Sequence, residues 1–582
     1  RISANLLSGY IHDNWKLLRS LMITVGLRYD YLSPAVERTG TAIIPVLTGL
    51  SSNSVYFQNL NFAYASRQRP FYIRDFDNYS PYFGLAWKPV AKLPLVVRGS
   101  ASTTYTPDGL ISDMSIYALR NPFQSFNVSR NPASRVSLAG VPVTPTPVLP
   151  SSLTLQSLLS FASSFYQQPG TVYAVDPNVR TPNVRYWNLG IETQLRGYQF
   201  GVRYVGNRLE EAPRSVDRNQ VMFPPAFFSA FQQVRSALTN GRPTNGFPQI
   251  PGGGLCANFS LQNCQPDRYA ISLIKTGQAG ELARWYQGQG YLNGTTYYVL
   301  GNPLAPQGID LLAKLGYSRY DALQLTASRR FSQGLGLTAS YVLSKVMSTL
   351  DDSQPGAIDP FLDVYNSKLE WAPAPFNLTN ALKATVIWDL PFFKSGGLVK
   401  RALSRWSVSG ILMAQSGAPF SLLSGGYVVE PNGTLGEISG LGTFTSLADS
   451  QQNSVFTSLT GSQIKRFFGI HENPNGTVSY VQAPAGAFQE PAPGTIGNLQ
   501  KRLFTGPGAF NLNLGVRKMI SLTERAQAEF RAESINVFNN VNWFVGDQAY
   551  LGITNQAGAV FNKNVTQWNS PRTFQFTLRL LF

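Results

Sequence analysis

A membrane-spanning antiparallel β-barrel of the outer-membrane type, and so an all-β fold, is the class this sequence predicts, on three observations. Segments of about a dozen residues alternate apolar and polar side chains with period two, as one-sided strands require. Charged residues make up only 14% of the 582 residues while aromatics reach 12%, against roughly 25% charge in a soluble globular chain. The links between segments alternate between short and long, as periplasmic turns and extracellular loops do.

Helical alternatives fall away on composition. With Gly 51 and Pro 38 the chain is punctuated too often for long helices. No apolar run approaches the roughly 18 to 20 residues of a transmembrane helix. A closed barrel is then the remaining way to cross a bilayer with every backbone hydrogen bond satisfied.

The clearest segment is 20–32, where Leu21, Ile23, Val25, Leu27, Tyr29 and Tyr31 alternate with Met22, Thr24, Gly26, Arg28 and Asp30. It exceeds the five or six residues usual in soluble sheets and suits the roughly 9 to 11 of a tilted membrane strand. Trp187, Leu189 and Ile191 oppose Asn188, Gly190 and Glu192; Leu335, Leu337, Ala339, Tyr341 and Leu343 oppose Gly336, Thr338 and Ser340. Leu382, Ala384, Val386 and Trp388 oppose Lys383, Thr385 and Asp389, and Trp406, Val408, Gly410, Leu412 and Ala414 oppose Ser407 and Ser409. These apolar faces hold no Arg or Lys, which at the bilayer midplane would cost roughly 2–4 kcal/mol each. Aromatics gather near segment ends, as an interfacial girdle requires.

Taken in order, strands are predicted at 3–15, 20–32, 80–89, 95–105, 185–195, 197–206, 318–331, 334–347, 376–390, 403–416, 507–519, 524–538 and 570–582, with a short extension at 418–424. The pattern slips by one at Ile535 and Val537, which suggests a bulge. Long extracellular loops are predicted at about 33–79, 106–184, 207–317, 348–375, 425–506 and 539–569. Counting back from a final strand that ends in the periplasm, 3–15 runs inward from the surface as an edge strand in need of a partner. Thirteen is odd where a single-chain bacterial barrel has an even count. About 13–14 strands of a larger barrel are therefore expected here, with its N-terminal part upstream of Arg1, where no signal peptide is readable.

The net charge of +17 lacks the basic, aromatic-interleaved runs of a nucleic-acid binder, so no nucleic acid is expected as partner. Scattered Arg facing outer-membrane lipid and lipopolysaccharide accounts for it. Cys256 and Cys264, in a Gly/Pro/Asn-rich loop, are disulfide candidates for an oxidising compartment. His12 and His471 stand far apart without ligand spacing, so no metal site is assigned, and no nucleophile–base pair points to an enzyme. Gly252, Gly253 and Gly254 lack the Lys-Ser/Thr tail of a phosphate loop. Asp351, Asp352, Asp359 and Asp363 could converge on a calcium ion, but a solvated acidic loop is the plainer reading. No cofactor is expected.

The segments YIHDNWKLLRSLMITVGLRYDY, YWNLGIETQL, YDALQLTASRRFSQGLGLTASYVLSK, GILMAQSGAPF, ESINVFNNVNW and the terminal RTFQFTLRLLF together resemble the barrel signatures of Oar-like TonB-dependent receptors, over effectively the whole chain. The resemblance implies a barrel of about 22 strands around an N-terminal plug on which the TonB complex pulls to admit a scarce ligand. No plug or TonB box is recognisable within these residues. Phe574, Phe576, Leu578, Leu580 and Phe582 resemble the C-terminal signal read by the barrel-assembly machinery.

Arg28, Glu192, Arg203, Lys383, Glu529, Arg531 and Glu533 fall on the polar faces, as candidates to dock a plug or line a wet path. The longest loops, rich in Tyr, Phe, Asn and Gln, suit ligand capture. The leading expectation is a receptor in the outer membrane of a Gram-negative bacterium that passes an unidentified substrate with TonB-delivered energy. A passive diffusion porin and a β-rich surface adhesin or carbohydrate-binding protein are the alternatives.

Overall fold

Two-residue turns show where the chain folds back. Arg196 and Gly197 have φ of 48° and 84°, and Gln333 and Gly334 have φ of 53° and 80°. Two successive positive-φ residues make the type I′ turn whose twist matches antiparallel strands. Each turn tolerates one non-glycine residue because the second is glycine.

The computed structural model describes residues 2–37, 70–107, 172–217, 225–240, 309–350, 367–391, 404–423, 455–489, 497–545 (apart from 524) and 569–582, with short pieces at 43–46, 61–64, 110, 273–274, 279, 282, 427–429, 435–437, 548–550, 561–564 and 566–567. Cys256, Cys264, the three consecutive glycines and the four loop aspartates lie outside them.

Thirteen strands follow one another in a single antiparallel path. They are β1 (Leu6–Leu18), β2 (Leu21–Leu32), β3 (Tyr79–Trp87), β4 (Leu95–Tyr105), β5 (Asn183–Leu195), β6 (Tyr198–Asp217), β7 (Ile309–Ser332), β8 (Leu335–Ser348), β9 (Asn380–Asp389), β10 (Trp406–Gln415), β11 (Ala509–Ser521), β12 (Gln527–Ile535) and β13 (Thr573–Leu581). All thirteen predicted strands are present, in order and paired with their sequence neighbours, but the piece at 418–424 does not extend the tenth: Pro419–Leu423 pairs instead with Phe504–Thr505 and Gln548–Tyr550. Among the described residues β1 pairs only with β2 and β13 only with β12, so the sheet has two open edges.

Two boundaries differ from expectation for physical reasons. β6 and β7 run well beyond the predicted limits, to Asp217 and from Ile309, with register shifts between Leu209 and Ala212 and between Ala212 and Arg214. Glu211 sits at φ 58°, and this irregularity breaks the period-two signal where the strands leave the wall. A parallel strand, Val172–Val175, joins the extension alongside Ile309–Leu312. The slip at Ile535 is not a bulge: Asn536 takes φ 53° and the strand ends.

That ending explains the asparagines of NVFNNVNW. The Asn536 side-chain amide donates to Asn540 O at 2.9 Å and Ser570 O at 3.2 Å, and its carbonyl accepts from Asn540 N at 2.9 Å. Asn542 exchanges side-chain bonds with both backbone groups of Phe510. Asn539 accepts from Arg572 N and Asn569 from Asn542 N. Side-chain amides thus replace ladder hydrogen bonds where β11, β12 and β13 finish.

Buried apolar residues concentrate in the links and not in the wall. One cluster joins Leu32, Ala35, Phe71, Tyr72, Leu110, Val179 and Leu312. A second gathers Phe420, Leu422, Val455, Ile464, Val481, Phe488, Leu499 and Val545, around the Phe468–Glu472 and Val478–Ala483 strands. The wall instead exposes Leu189, Ile191, Phe576 and Leu578, the last at 70%. A sheet whose large apolar side chains face outward needs lipid to cover them.

Candidate functional site: the polar face and the long-link rim

Relaying the register strand by strand places the seven polar-face candidates on one side of the sheet. Glu192 pairs with Gly201, Gly201 with Thr326, Thr326 with Ser340, and Ser340 with Lys383. Onward, Lys383 pairs with Met413 and Met413 with Asn511, while Gly515 on the same face of β11 pairs with Glu533. In the other direction Tyr186 leads through Ser102 and Tyr82 to Gly26, one turn of the pleat from Arg28.

Most of the candidates are joined in ion pairs, across strands at Glu192 and along one strand at Arg28 and Arg531, which satisfy charge on a face that cannot meet lipid. Glu192 accepts from Arg98 at 3.3 Å and from Arg203 at 3.0 Å, tying β4, β5 and β6. Arg28 pairs with Asp30 at 2.8 Å, and the Ser8 hydroxyl donates to the same carboxylate at 2.5 Å. Arg531 lies 3.0 Å from Glu529 and 3.8 Å from Glu533. Arg517 reaches Asp389 at 3.6 Å and Ser407 at 3.0 Å. Lys383 is exposed on this face between Ser340 and Met413. Arg98 and Arg517 were missed from sequence, although extending the alternation of Val96, Arg98, Ser100, Ser102 and Thr104 would have found the first.

Two further constellations sit where the long links leave the wall. In the first, the Arg180 guanidinium lies 3.2 Å from Asp75 and 2.6 Å from Asp77, and Thr181 N donates to Asp75 at 3.2 Å. Burial pushes the Asp75 carboxyl up to about 6, helped by its hydrogen bond to Asp77. Asp77, on the receiving side of that bond and facing Arg180, is held below the usual carboxylate range. Burial likewise pushes the neighbouring Tyr72 hydroxyl up to about 12. The pair thus joins link 33–78 to link 106–182.

In the second, Glu370 is 1% exposed and accepts from Arg214 at 3.1 Å and from Lys501 at 2.7 Å, both cations also buried. Arg214 comes from the β6 extension, Glu370 from the turn Ser367–Glu370, and Lys501 from the link before β11. Beside them Arg502 N donates to Ser421 at 2.9 Å, and its side chain bonds Pro373 O. Neither constellation was visible in sequence, since its members come from links far apart in the chain. None of these groups pairs a nucleophile with a base.

At the short-turn end of the outward face, Trp15, Trp87, Trp388 and Trp406 mark an aromatic border, with the Lys518 ammonium 5.2 Å above the Trp406 ring. One mainly apolar face, one ion-paired polar face and long links at one end together define the wall of an outer-membrane β-barrel. The chain belongs to the outer membrane beta barrel domain family, whose pattern matches residues 1–575, and resides in the outer membrane of a Gram-negative bacterium.

Among solved structures it is similar to the ferripyoverdine receptor of the outer membrane of Pseudomonas aeruginosa, at 8% identity over 100% of this chain and 39% of that one, with a TM-score of 0.36. The FrpB iron transporter from Neisseria meningitidis shares 9% identity over 100% and 46%, with a TM-score of 0.34. The siderophore receptor PiuA from Acinetobacter baumannii shares 8% over 100% and 43%, with a TM-score of 0.36. The chain thus spans less than half the length of these proteins. No curated protein matches it.

Proposed function

We propose that this chain forms part of the barrel of a TonB-dependent receptor of the Oar-like kind, capturing a scarce or large substrate at its long links and admitting it past a plug. The observation that carries the reading is strand parity joined to the polar face. With thirteen alternating strands among the described residues, β1 and β13 run in the same direction, whereas bacterial outer-membrane barrels close with an even count. Completion to the even count of about 22 strands seen in plugged transporter barrels would make the barrel wide enough to hold a plug.

The ion-paired polar face supports the same reading. Arg28, Glu192, Arg203, Lys383, Glu529, Arg531 and Glu533 would dock a plug, and the TonB complex would act through that plug. The C-terminal residues Phe574, Phe576, Leu578, Leu580 and Phe582 would serve recognition by the barrel-assembly machinery. The role is transport and not catalysis.

Energy dependence tests the proposal. The full-length protein in planar bilayers should show no steady conductance, and uptake of its substrate by cells should stop on adding a protonophore or deleting TonB. A steady open conductance, with uptake indifferent to both treatments, would replace the receptor by a passive porin.

A further inference from the structure

Three arginines stand side by side on the outward face, a placement unlike anything else on that face among the described residues. Arg185 on β5 is directly opposite Arg208 on β6, and Arg208 is directly opposite Arg319 on β7. Like charges in direct cross-strand register destabilise a sheet unless something anionic lies between them. Two carboxylates do so in part: Glu210 is 2.9 Å from Arg185 and 3.6 Å from Arg208, and Asp321 is 2.7 Å from Arg319. Lys345, exposed and in register with Asp321, brings the cations to four against those two carboxylates. The Nε of Arg208 is buried without a hydrogen-bond partner, and its guanidinium is held 5.5 Å over the Tyr317 ring.

The row's height on the wall identifies what it meets. Below Arg185 the outward column of β5 is Trp187, Leu189, Ile191, Thr193 and Leu195, then the short turn. Trp187 to Leu195 spans about 27 Å along the strand at roughly 3.4 Å per residue. Tilted by about 40° it covers about 21 Å of membrane normal, close to the roughly 25 Å apolar band of such barrels. Arg185, Arg208 and Arg319 thus lie one pleat beyond the hydrocarbon, at the long-link end, level with the headgroups of the outer leaflet. Three adjacent strands spread the row over about 10 Å, within reach of one headgroup.

We propose that Arg185, Arg208 and Arg319, with Lys345, form a binding site for the phosphates of an outer-leaflet glycolipid. Guanidinium forks suit phosphate oxygens bidentately, and the anion supplies the charge that Glu210 and Asp321 leave unmatched. The site requires the outer-membrane placement of the wall with its long links on the outer side, so it stands independently of the receptor reading.

The test is native mass spectrometry of the full-length protein in detergent, titrated with diphosphoryl lipid A. The triple variant R185Q/R208Q/R319Q should bind at least about tenfold more weakly, and R185K/R208K/R319K, which keeps the charge but loses the bidentate forks, should fall between it and the parent. Lys383→Gln, on the opposite face, should change nothing. Dephosphorylated lipid A should bind poorly, and inorganic phosphate should compete far less well than the lipid. Undiminished binding by the glutamine variant, equal binding of dephosphorylated lipid, equal competition by inorganic phosphate, or an equal loss in Lys383→Gln would each overturn the site. Arg319→Gln alone, which leaves both Glu210 pairs in place, gives a second readout should the triple variant not fold. It should weaken binding about threefold, and no weakening overturns the proposal.

Discussion

Replacing Glu370 by Gln should loosen the rim while leaving the wall intact. The carboxylate is 1% exposed and holds Arg214 and Lys501 at 3.1 and 2.7 Å, so the substitution removes a counter-charge that two buried cations share. Removing one partner of a buried ion pair costs about 3–5 kcal/mol. At 1.4 kcal/mol per decade that raises local opening roughly 10² to 10³-fold or more. Hydrogen exchange on the protein in micelles reads the effect directly. Protection should collapse in 367–377 and 497–503, while β5, β8 and β11 exchange as before. Because an apolar replacement of similar volume is often neutral, R214M/E370L/K501M should regain most of the protection. If Glu370→Gln exchanges within threefold of the parent at the rim, the cluster does not hold these links and the reasoning fails.

Other expectations follow from the same geometry. Asp75 carries a folded-state value of about 6, above its unfolded one, so its contribution is fully present below about pH 4 and fades as pH rises through 6. Lowering pH from 6 toward 4 should tighten segment 71–78, and Asp75→Asn should flatten that dependence in exchange measurements. Asn536→Ala removes three hydrogen bonds from a residue at φ 53° and should cost about 3 kcal/mol in urea unfolding. Asn536→Gly keeps the backbone freedom, so the two variants differ only by the strain. Leu189→Arg, mid-column on the outward face, should cost about 2–4 kcal/mol in liposome unfolding, and Asn188→Arg on the polar face less than about 1. The reverse order would show that lipid and water faces have been exchanged.

The wall was legible in sequence because one constraint acts on it throughout: every second residue must be acceptable to hydrocarbon. That rule is local, so Leu21 through Tyr31 or Leu335 through Leu343 announce both strand and face without knowledge of any partner. It also sorted Arg28, Glu192, Arg203 and Lys383 onto the polar face, although not their pairings, which depend on register. Legibility stops where the wall does. Once β6 and β7 pass Leu209 and Ser318 they pack against other links, lipid no longer selects their alternation, and the bulge at Glu211 scrambles it. The rim clusters are built from residues more than a hundred positions apart, such as Asp75 with Arg180 and Glu370 with Lys501, which no local period can report.

The same division of labour accounts for where the molecule keeps its buried charge. A barrel wall gains its outward apolar burial from lipid, so its strands can be nearly free of internal core. The links have no lipid and must fold on themselves, with the two apolar clusters and buried ionic contacts between links. Buried ion pairs are poor sources of net stability but strong selectors of one arrangement over another when a partner is lost. Placing the buried Arg214–Glu370–Lys501 cluster between the β6 extension and two links, with the half-exposed Asp75–Arg180 pair between two others, therefore ties the links to one another and to the end of β6. A ligand that displaced one of these contacts would release several links together, giving the rim a cooperative response that isolated loops could not have.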